Sequence, residues 1–274
     1  MDTNYRSRSG ISAAGRGELT AVMGRGRRFV GVDEAAAALN VDPKTSAKKL
    51  ARWAEEGWLR RVRRGLYIAV PVDAEDPKAW SEDALVIATA VWSPCYFTGW
   101  TAANHWGLTE QVFRTTVLKT TGRVRTSTVW LLDHEYMVSH VAEPFMEWGL
   151  ESFWHDERRL RIADPARTVV DILDAPRLGG GIRHAGEILA AYLNEHDPDR
   201  LVAYGDRLGN RTVFKRLGYL LEAMGRGELG LLDACRKRLP SGVSLLDPDG
   251  PRSGPRSSTW ALRVNVRVGA EGPS

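Results

Sequence analysis

DEAAAALNVDPKTSAKKLARWAEEGWLRRVRRGLYIAV, residues 33–70, is the stretch that decides the fold. Asp33 is a residue type that caps helix N-termini, and the alanine-rich run behind it favours a helix. Asp42 and Pro43 restart the chain after a short turn, because proline at the first helical position loses no helical hydrogen bond. A second helix is therefore predicted from Pro43 to about Glu56. The two helices form a helix-turn-helix.

The second helix carries Lys44, Lys48 and Arg52 at i, i+4 and i+8, a spacing that places them on one face. The predicted inward stripe consists of Ala47, Leu50, Ala54 and Trp58. Three further residues border the basic face near the start of the helix, where a recognition helix meets base edges: Thr45, Ser46 and Lys49. A basic helix face by itself is more often simply solvated. The arginine-rich segment that comes directly after this helix favours DNA contact.

Residues 59–63, the Arg64-Gly65 turn and residues 66–70 are predicted to form a β-hairpin. Its first strand and turn carry four arginines, Arg60, Arg61, Arg63 and Arg64. The planar guanidinium can donate two hydrogen bonds to neighbouring phosphate oxygens. The hairpin is thus predicted to be the wing of a winged-helix domain, holding the DNA backbone while the helix selects the sequence.

The distribution of charge supports a polyanion partner for this part of the chain. Residues 1–70 hold fourteen Lys or Arg against seven Asp or Glu, a net charge of +7, whereas residues 71–274 hold twenty-four against twenty-seven, a net of −3. The basic surplus belongs to the N-terminal quarter, which points to nucleic acid there.

Composition indicates a soluble globular protein, with 43% hydrophobic and 26% charged residues in a chain of 274. No apolar run is long enough to span a membrane, and the N-terminal residues have no signal-peptide core, so the predicted location is the cytoplasm. Cys95 and Cys235 lie far apart and are predicted to be buried reduced thiols. The histidines have no metal-ligand spacing, so we predict neither a metal nor a cofactor.

Residues 71–77 are acidic and contain two prolines, which is typical of a stiff linker. They divide the chain into a winged-helix domain, 1–70, and a larger domain, 78–274. A helix is predicted at 77–92. Predicted strands follow at 95–98, 115–121, 128–132, 135–140, 151–154 and 160–162, and predicted helices at 182–193, 211–224 and 229–239, with Asp164-Pro165 beginning another. Strands followed by helices indicate an α+β fold. The segment 247–258 is predicted to be only partly ordered, and 260–268 to be a final strand.

The sequence contains no residue pattern typical of an active site. The acid-x-Lys triplets typical of a metal-dependent nuclease occur only at Asp42-Pro43-Lys44 and Asp76-Pro77-Lys78, where helix capping already accounts for the Asp-Pro pairs. The chain is therefore predicted not to be an enzyme.

With these residues in view, the chain resembles the AbiEi family of antitoxins, from type IV toxin-antitoxin (abortive infection) systems. The resemblance runs from about Val22 to Val268. In the N-terminal part it rests on the helix-turn-helix and WLRRVRRGLYIAVP (58–71). In the second domain it rests on YFTGWTAANHWGLTEQVFRTTVLKT (96–120), RIADPARTVVDILD (161–174), RLGGGIRHAGEIL (177–189), RLGYLLE (216–222) and STWALRVNV (258–266).

The resemblance implies that the winged helix represses its own operon by binding inverted repeats in double-stranded operator DNA. It also implies that the second domain counters a nucleotidyltransferase-like toxin encoded beside it. The oligomeric state stays open, a monomer that binds cooperatively being one option. Two alternatives also stay open: a winged-helix regulator whose second domain senses a ligand or oligomerises, and a DNA-targeted nuclease.

Overall fold

The computed structural model describes residues 10–24, 26–227 and 229–268. The chain forms two compact units, the first ending at Ala90 and including Trp130–His134, the second comprising Val91–Val129 and the residues from Glu135 onward. Both contain helices and strands, which confirms the α+β fold. The predicted domain limits, whose outer ends lie outside the described residues, stay a prediction. Among the described residues no helix is both long and apolar enough to cross a membrane.

The first unit is built from a helical cluster and a small antiparallel sheet. Its elements in chain order are α1 (Ala13–Met23), β1 (Phe29–Gly31), α2 (Val32–Leu39), α3 (Pro43–Glu55), β2 (Leu59–Arg63) and β3 (Leu66–Ala69). The strand order is β1-β3-β2, with both pairings antiparallel. Leu50 and Trp53 of α3 join Val30 and Tyr67 of the sheet in one buried core. This packing fixes which face of α3 is turned outward.

The start of α2 differs from the prediction. Strand β1 ends at Gly31, and α2 begins at Val32 with Gly31 as its cap. The Glu34 carboxylate accepts a hydrogen bond of 2.8 Å from the Gly31 amide, which satisfies an N–H that the helix leaves unpaired. Asp33 is therefore a first-turn residue and not the predicted cap.

The helix predicted at 77–92 is also shorter. It begins only at Ala84 and forms α4 (Ala84–Trp92), along which the division between the units falls. Asp83 caps it through its Oδ1 atom, which accepts from the amides of Leu85 at 2.8 Å and Val86 at 3.1 Å. Residues 77–79 form a turn and residues 80–83 have no regular structure, so the predicted helix does not extend over them.

The second unit combines a mixed sheet with a helical cluster. Its strands are β4 (Cys95–Phe97), β5 (Thr116–Thr120), β6 (Thr128–Leu131), β7 (His134–His140), β8 (Leu150–His155) and β9 (Arg158–Ala163), and β6 and β7 continue into the Trp130–His134 segment of the first unit. Its helices are α5 (Gly99–His105), α6 (Pro165–Asp174), α7 (Ile182–Glu195), α8 (Asp199–Leu208), α9 (Thr212–Ala223) and α10 (Leu229–Arg236).

The sheet order is β6-β7-β5-β4-β9-β8. Strand β4 pairs antiparallel with β5 and parallel with β9, and β5 pairs parallel with β7. The six strand predictions are confirmed to within two residues at each end. Helices α5 and α8 had no counterpart among the predictions.

The C-terminal segment makes a second small sheet. Strand β12 (Leu262–Arg263) lies between β10 (Ser244–Leu245) and β11 (Arg256–Ser257). The final strand predicted at 260–268 is thus only two residues long, and the segment predicted to be partly ordered contains β11. Trp260 is fully buried in the helical core and donates a 2.7 Å hydrogen bond to Glu222.

Candidate nucleic-acid interface

The start of α3 is held by its own cap. Asp42 Oδ1 accepts hydrogen bonds of 3.0 Å from the amides of Lys44 and Thr45, and the Thr45 hydroxyl donates to Asp42 Oδ2 at 2.6 Å. The hydrogen bond from the Thr45 side chain is the largest of the effects that lower the pKa of Asp42. The carboxylate is therefore charged at neutral pH, where it complements the positive end of the helix dipole.

The outward face of α3 carries the predicted basic stripe. Lys44, Lys48 and Arg52 are all exposed. Arg52 makes an ion pair of 2.7 Å with Glu56, but its side chain is 76% exposed. A pair so open to water is weak and can exchange for a phosphate.

The inward face of α3 is turned relative to the prediction. Ser46, Leu50 and Trp53 are buried, whereas Ala47 and Ala54 are only half-buried. The Ser46 hydroxyl donates a hydrogen bond of 2.9 Å to the Val32 carbonyl oxygen, so a polar side chain is satisfied inside the core. The prediction that Ser46 borders the DNA-reading face is therefore wrong, because its hydroxyl is neither accessible nor free.

Two other predicted contact residues are engaged within the first unit. Lys49 Nζ lies 2.7 Å and 2.9 Å from the two carboxylate oxygens of Glu18 and ties α3 to α1. Arg60 donates to the Trp80 carbonyl oxygen and lies 3.3 Å from an Asp133 oxygen. Both side chains are thus held by other parts of the protein, and neither is assigned to the DNA interface.

The wing forms as predicted. Strands β2 and β3 pair from Leu59 opposite Ala69 to Arg63 opposite Leu66, with an irregularity between Arg61 and Arg63. Gly65, in the turn, has a φ of +79°, which glycine adopts without strain. Its carbonyl oxygen accepts a 3.2 Å hydrogen bond from the Val32 amide, which anchors the turn to α2.

Three wing arginines remain exposed, Arg61, Arg63 and Arg64. We call these three residues together with Lys44, Lys48 and Arg52 the basic face. Its cations lie on a helix that a DNA groove can admit and on a hairpin that can follow the backbone. The arrangement suits a duplex polyanion.

A cluster of charged residues in the second unit is closed to solvent. Asp171 accepts hydrogen bonds of 3.0 Å from both Lys119 Nζ and Arg167 Nε, and a further bond of 2.8 Å from Thr98. Arg167 is fully buried, and its guanidinium carbon lies 3.5 Å from the centre of the Trp148 ring. Opposite charges are therefore paired inside the unit, away from water. No sequence pattern indicated the cluster, since its members come from three distant segments.

The two cysteines are free and buried, as predicted. Burial raises the pKa of both Cys95 and Cys235 to about 12. Both thiols are therefore protonated at neutral pH, and the thiolate is the reactive form.

The comparison with family models gives a match in this part of the chain. Residues 19–70 match the family described as "Transcriptional regulator, AbiEi antitoxin". The resemblance to the AbiEi family is confirmed over these residues, which include α2, α3 and the wing. The likeness of the second-domain motifs lies outside the matched residues and stays a prediction.

A solved structure shares the fold. The RV2827C protein from Mycobacterium tuberculosis superposes with a TM-score of 0.60 over 93% of this chain and 93% of its own, at 15% sequence identity. At that identity the likeness concerns the fold alone. Comparison with curated proteins gives no match.

Proposed function

We propose that the protein is the antitoxin of a type IV toxin-antitoxin system and represses its own operon by binding inverted repeats in operator DNA. The observation that carries the DNA-binding half is the basic face, six exposed cations on α3 and the wing inside the segment similar to AbiEi regulators. DNA binding of this kind takes place in the cytoplasm, where we place the protein.

In this proposal α3 enters the major groove, which is wide enough for a helix. Lys48 lies at the centre of the exposed stripe and reaches base edges, while Lys44 and Arg52 flank it. The amides at the start of α3 are already taken by Asp42, so phosphate contacts come from side chains and not from the helix terminus. Thr45 is engaged by the same carboxylate, which leaves its methyl group for contact with the groove.

The wing lies along the adjacent backbone. Arg61, Arg63 and Arg64 are exposed on one strand and its turn, where each guanidinium can donate to phosphate oxygens. Such contacts are independent of sequence and release condensed counterions, so they contribute affinity and salt dependence. Selection of the operator is then the task of α3.

A substitution of Lys48 separates the two tasks. We expect Lys48→Ala to weaken binding to the operator duplex by about tenfold or more, because a base contact typically contributes 1–3 kcal/mol, and to weaken binding to an unrelated duplex less. The measurement is a fluorescence-anisotropy titration of the full chain against both duplexes at fixed salt.

Lys49→Ala is the matched control, since it removes the same charge at the next residue of the chain. The Lys49 side chain is paired with Glu18. We expect this variant to leave the ratio of operator to unrelated affinity unchanged. If Lys48→Ala also left that ratio unchanged, the proposed role of α3 in sequence selection would be wrong.

We further propose that the second unit counteracts a nucleotidyltransferase-like toxin encoded beside this gene, without catalysis of its own. The support is the AbiEi antitoxin character of residues 19–70. The protonated thiols and the closed Asp171 cluster suit a binding role better than a nucleophilic one.

Growth of bacteria expressing the toxin tests this half. We expect co-expression of the full chain from a foreign promoter to restore growth, and Lys48→Ala to restore it equally, because repression is then irrelevant. Restoration by wild type but not by Lys48→Ala, at equal protein levels, would mean that DNA binding and toxin neutralisation are one activity. Failure of wild type to restore growth would contradict the antitoxin proposal.

A further inference from the structure

A groove of about 380 Å³ lies beside the basic face in the first unit. It is bounded by the second half of α3, by β2 of the wing and by residues 77–78, which come after the hairpin in the chain. Its floor is apolar and includes Ala51 and Leu59. Its rim carries charged side chains, among them Arg61 and Lys78.

The groove continues the DNA-facing stripe of α3. Ala51 and Glu55 line it, and they stand seven and eleven residues after Lys44, so they share a helix face with Lys44 and Lys48. Arg61, which also lines the groove, belongs to the basic face. A duplex lying against α3 and the wing would therefore pass over the mouth of this groove.

Lys78 is held at the rim by the turn in which it lies. Asp76 Oδ1 accepts hydrogen bonds from the Lys78 amide at 2.8 Å and the Ala79 amide at 3.3 Å, and the Trp80 amide donates to the Asp76 carbonyl oxygen at 2.9 Å. Pro77 is buried. The turn is thus a fixed part of the first unit.

Arg60 supplies the outer anchor of the turn. Its guanidinium donates to the Trp80 carbonyl oxygen, and Asp133 lies 3.3 Å from the same group. The arginine that sequence reasoning assigned to phosphate therefore positions the segment carrying Lys78. The Lys78 side chain itself is exposed, and none of the hydrogen bonds or ion pairs of the described residues involves its ammonium group.

We propose that Lys78, together with Arg61, binds a phosphate of the DNA backbone at this groove, so that the DNA interface extends past the hairpin into residues 76–78. The inference rests on the proposed operator binding. Both side chains line the groove and are exposed, so their cations can donate to one phosphate, and the hydrogen-bonded turn lowers the entropy lost when Lys78 is immobilised. Glu55 also lines the groove, and its carboxylate disfavours an anion inside it. A backbone phosphate at the rim is therefore favoured over a small anion within the groove.

The test compares Lys78→Ala with wild type in full-length protein, by anisotropy titration between 50 and 200 mM salt. Loss of one phosphate contact makes the plot of log affinity against log salt concentration less steep by about 0.9. It also weakens the affinity at 0.15 M salt by about fivefold. We expect these changes with the operator and an unrelated duplex alike. Lys78→Arg should retain both the slope and the affinity.

Lys237→Ala is the control, because Lys237 is also exposed but lies in the second unit. A salt slope unchanged in Lys78→Ala, while wild type binds DNA, would overturn the Lys78 contact and leave operator binding standing. A wild-type chain that binds neither duplex would overturn both. Millimolar inorganic phosphate should not compete with the operator at constant ionic strength. If it did compete, and if Lys78→Ala abolished the competition, the groove would be a site for free anions, and the assignment to a backbone phosphate would be overturned.

Discussion

Asp171→Ala is expected to lower the free energy of unfolding by about 3–5 kcal/mol, because it leaves two buried cations without their counter-charge. Lys119 is 8% exposed, and Arg167 and Asp171 are completely buried. For a protein of this size such a loss lowers the melting temperature by on the order of 10 °C. Urea unfolding and calorimetry measure both quantities.

Two variants control this result. Asp171→Asn keeps the volume and some hydrogen bonding but not the charge, so we expect its stability to lie closer to that of Asp171→Ala than to wild type. Asp233→Ala removes a carboxylate that is 58% exposed and paired with Arg236, and should change stability by less than about 1 kcal/mol. Stability of Asp171→Ala within about 1 kcal/mol of wild type would contradict the structural role of the cluster.

The pH dependence gives an independent check. Burial alone raises the pKa of Asp171, but attraction to Lys119 and Arg167 and the hydrogen bonds it accepts outweigh burial and lower the pKa below the ordinary value of 3.8. A group with a lowered folded-state pKa contributes stability above the unfolded pKa and loses it as the pH falls through the folded pKa. The stability difference between wild type and Asp171→Ala should therefore be full at pH 7 and shrink below about pH 3.8.

The sequence predicted well the features that depend on neighbouring residues. The cap at Asp42 and the turn at Gly65 use chemistry that acts within a few residues, and both formed where predicted. The six main strands were found because their apolar patterns are short and bounded by turn residues. The exposed stripe of Lys44, Lys48 and Arg52 followed from helical spacing alone.

The errors at the candidate site and the missed Asp171 cluster have a common physical cause, which is that residues distant in the chain decide the structure. Ser46 is buried because the Val32 carbonyl oxygen, fourteen positions away in the chain, satisfies its hydroxyl. Arg60 is held within the protein because the Trp80 carbonyl oxygen and Asp133 lie beside it. The Asp171 cluster joins residues up to 73 positions apart. Local sequence patterns do not reveal such partners, because the residues around a polar side chain in the chain do not show whether a distant residue will pack against it.

The largest effect on DNA binding is expected from the simultaneous replacement of Arg61, Arg63 and Arg64 by alanine. These side chains are exposed on β2 and its turn, so their loss leaves the core of the first unit intact. Loss of three phosphate contacts should make the plot of log affinity against log salt concentration less steep by about 3. It should weaken the affinity at 0.15 M salt by about 100-fold. Anisotropy titrations over a series of salt concentrations measure both.

The control must remove the same charge elsewhere, because a fall in net positive charge weakens association with DNA by itself. Replacing Arg123, Arg125 and Arg159, all exposed in the second unit, by alanine does this. We expect the wing variant to lose affinity for the operator and an unrelated duplex by the same factor, since backbone contacts carry no sequence information. Equal losses in the wing variant and the control would mean that overall charge attracts the DNA, and the wing would then have no specific role. A loss confined to the operator would instead place the wing arginines on bases, and α3 would no longer be the sole source of sequence selection.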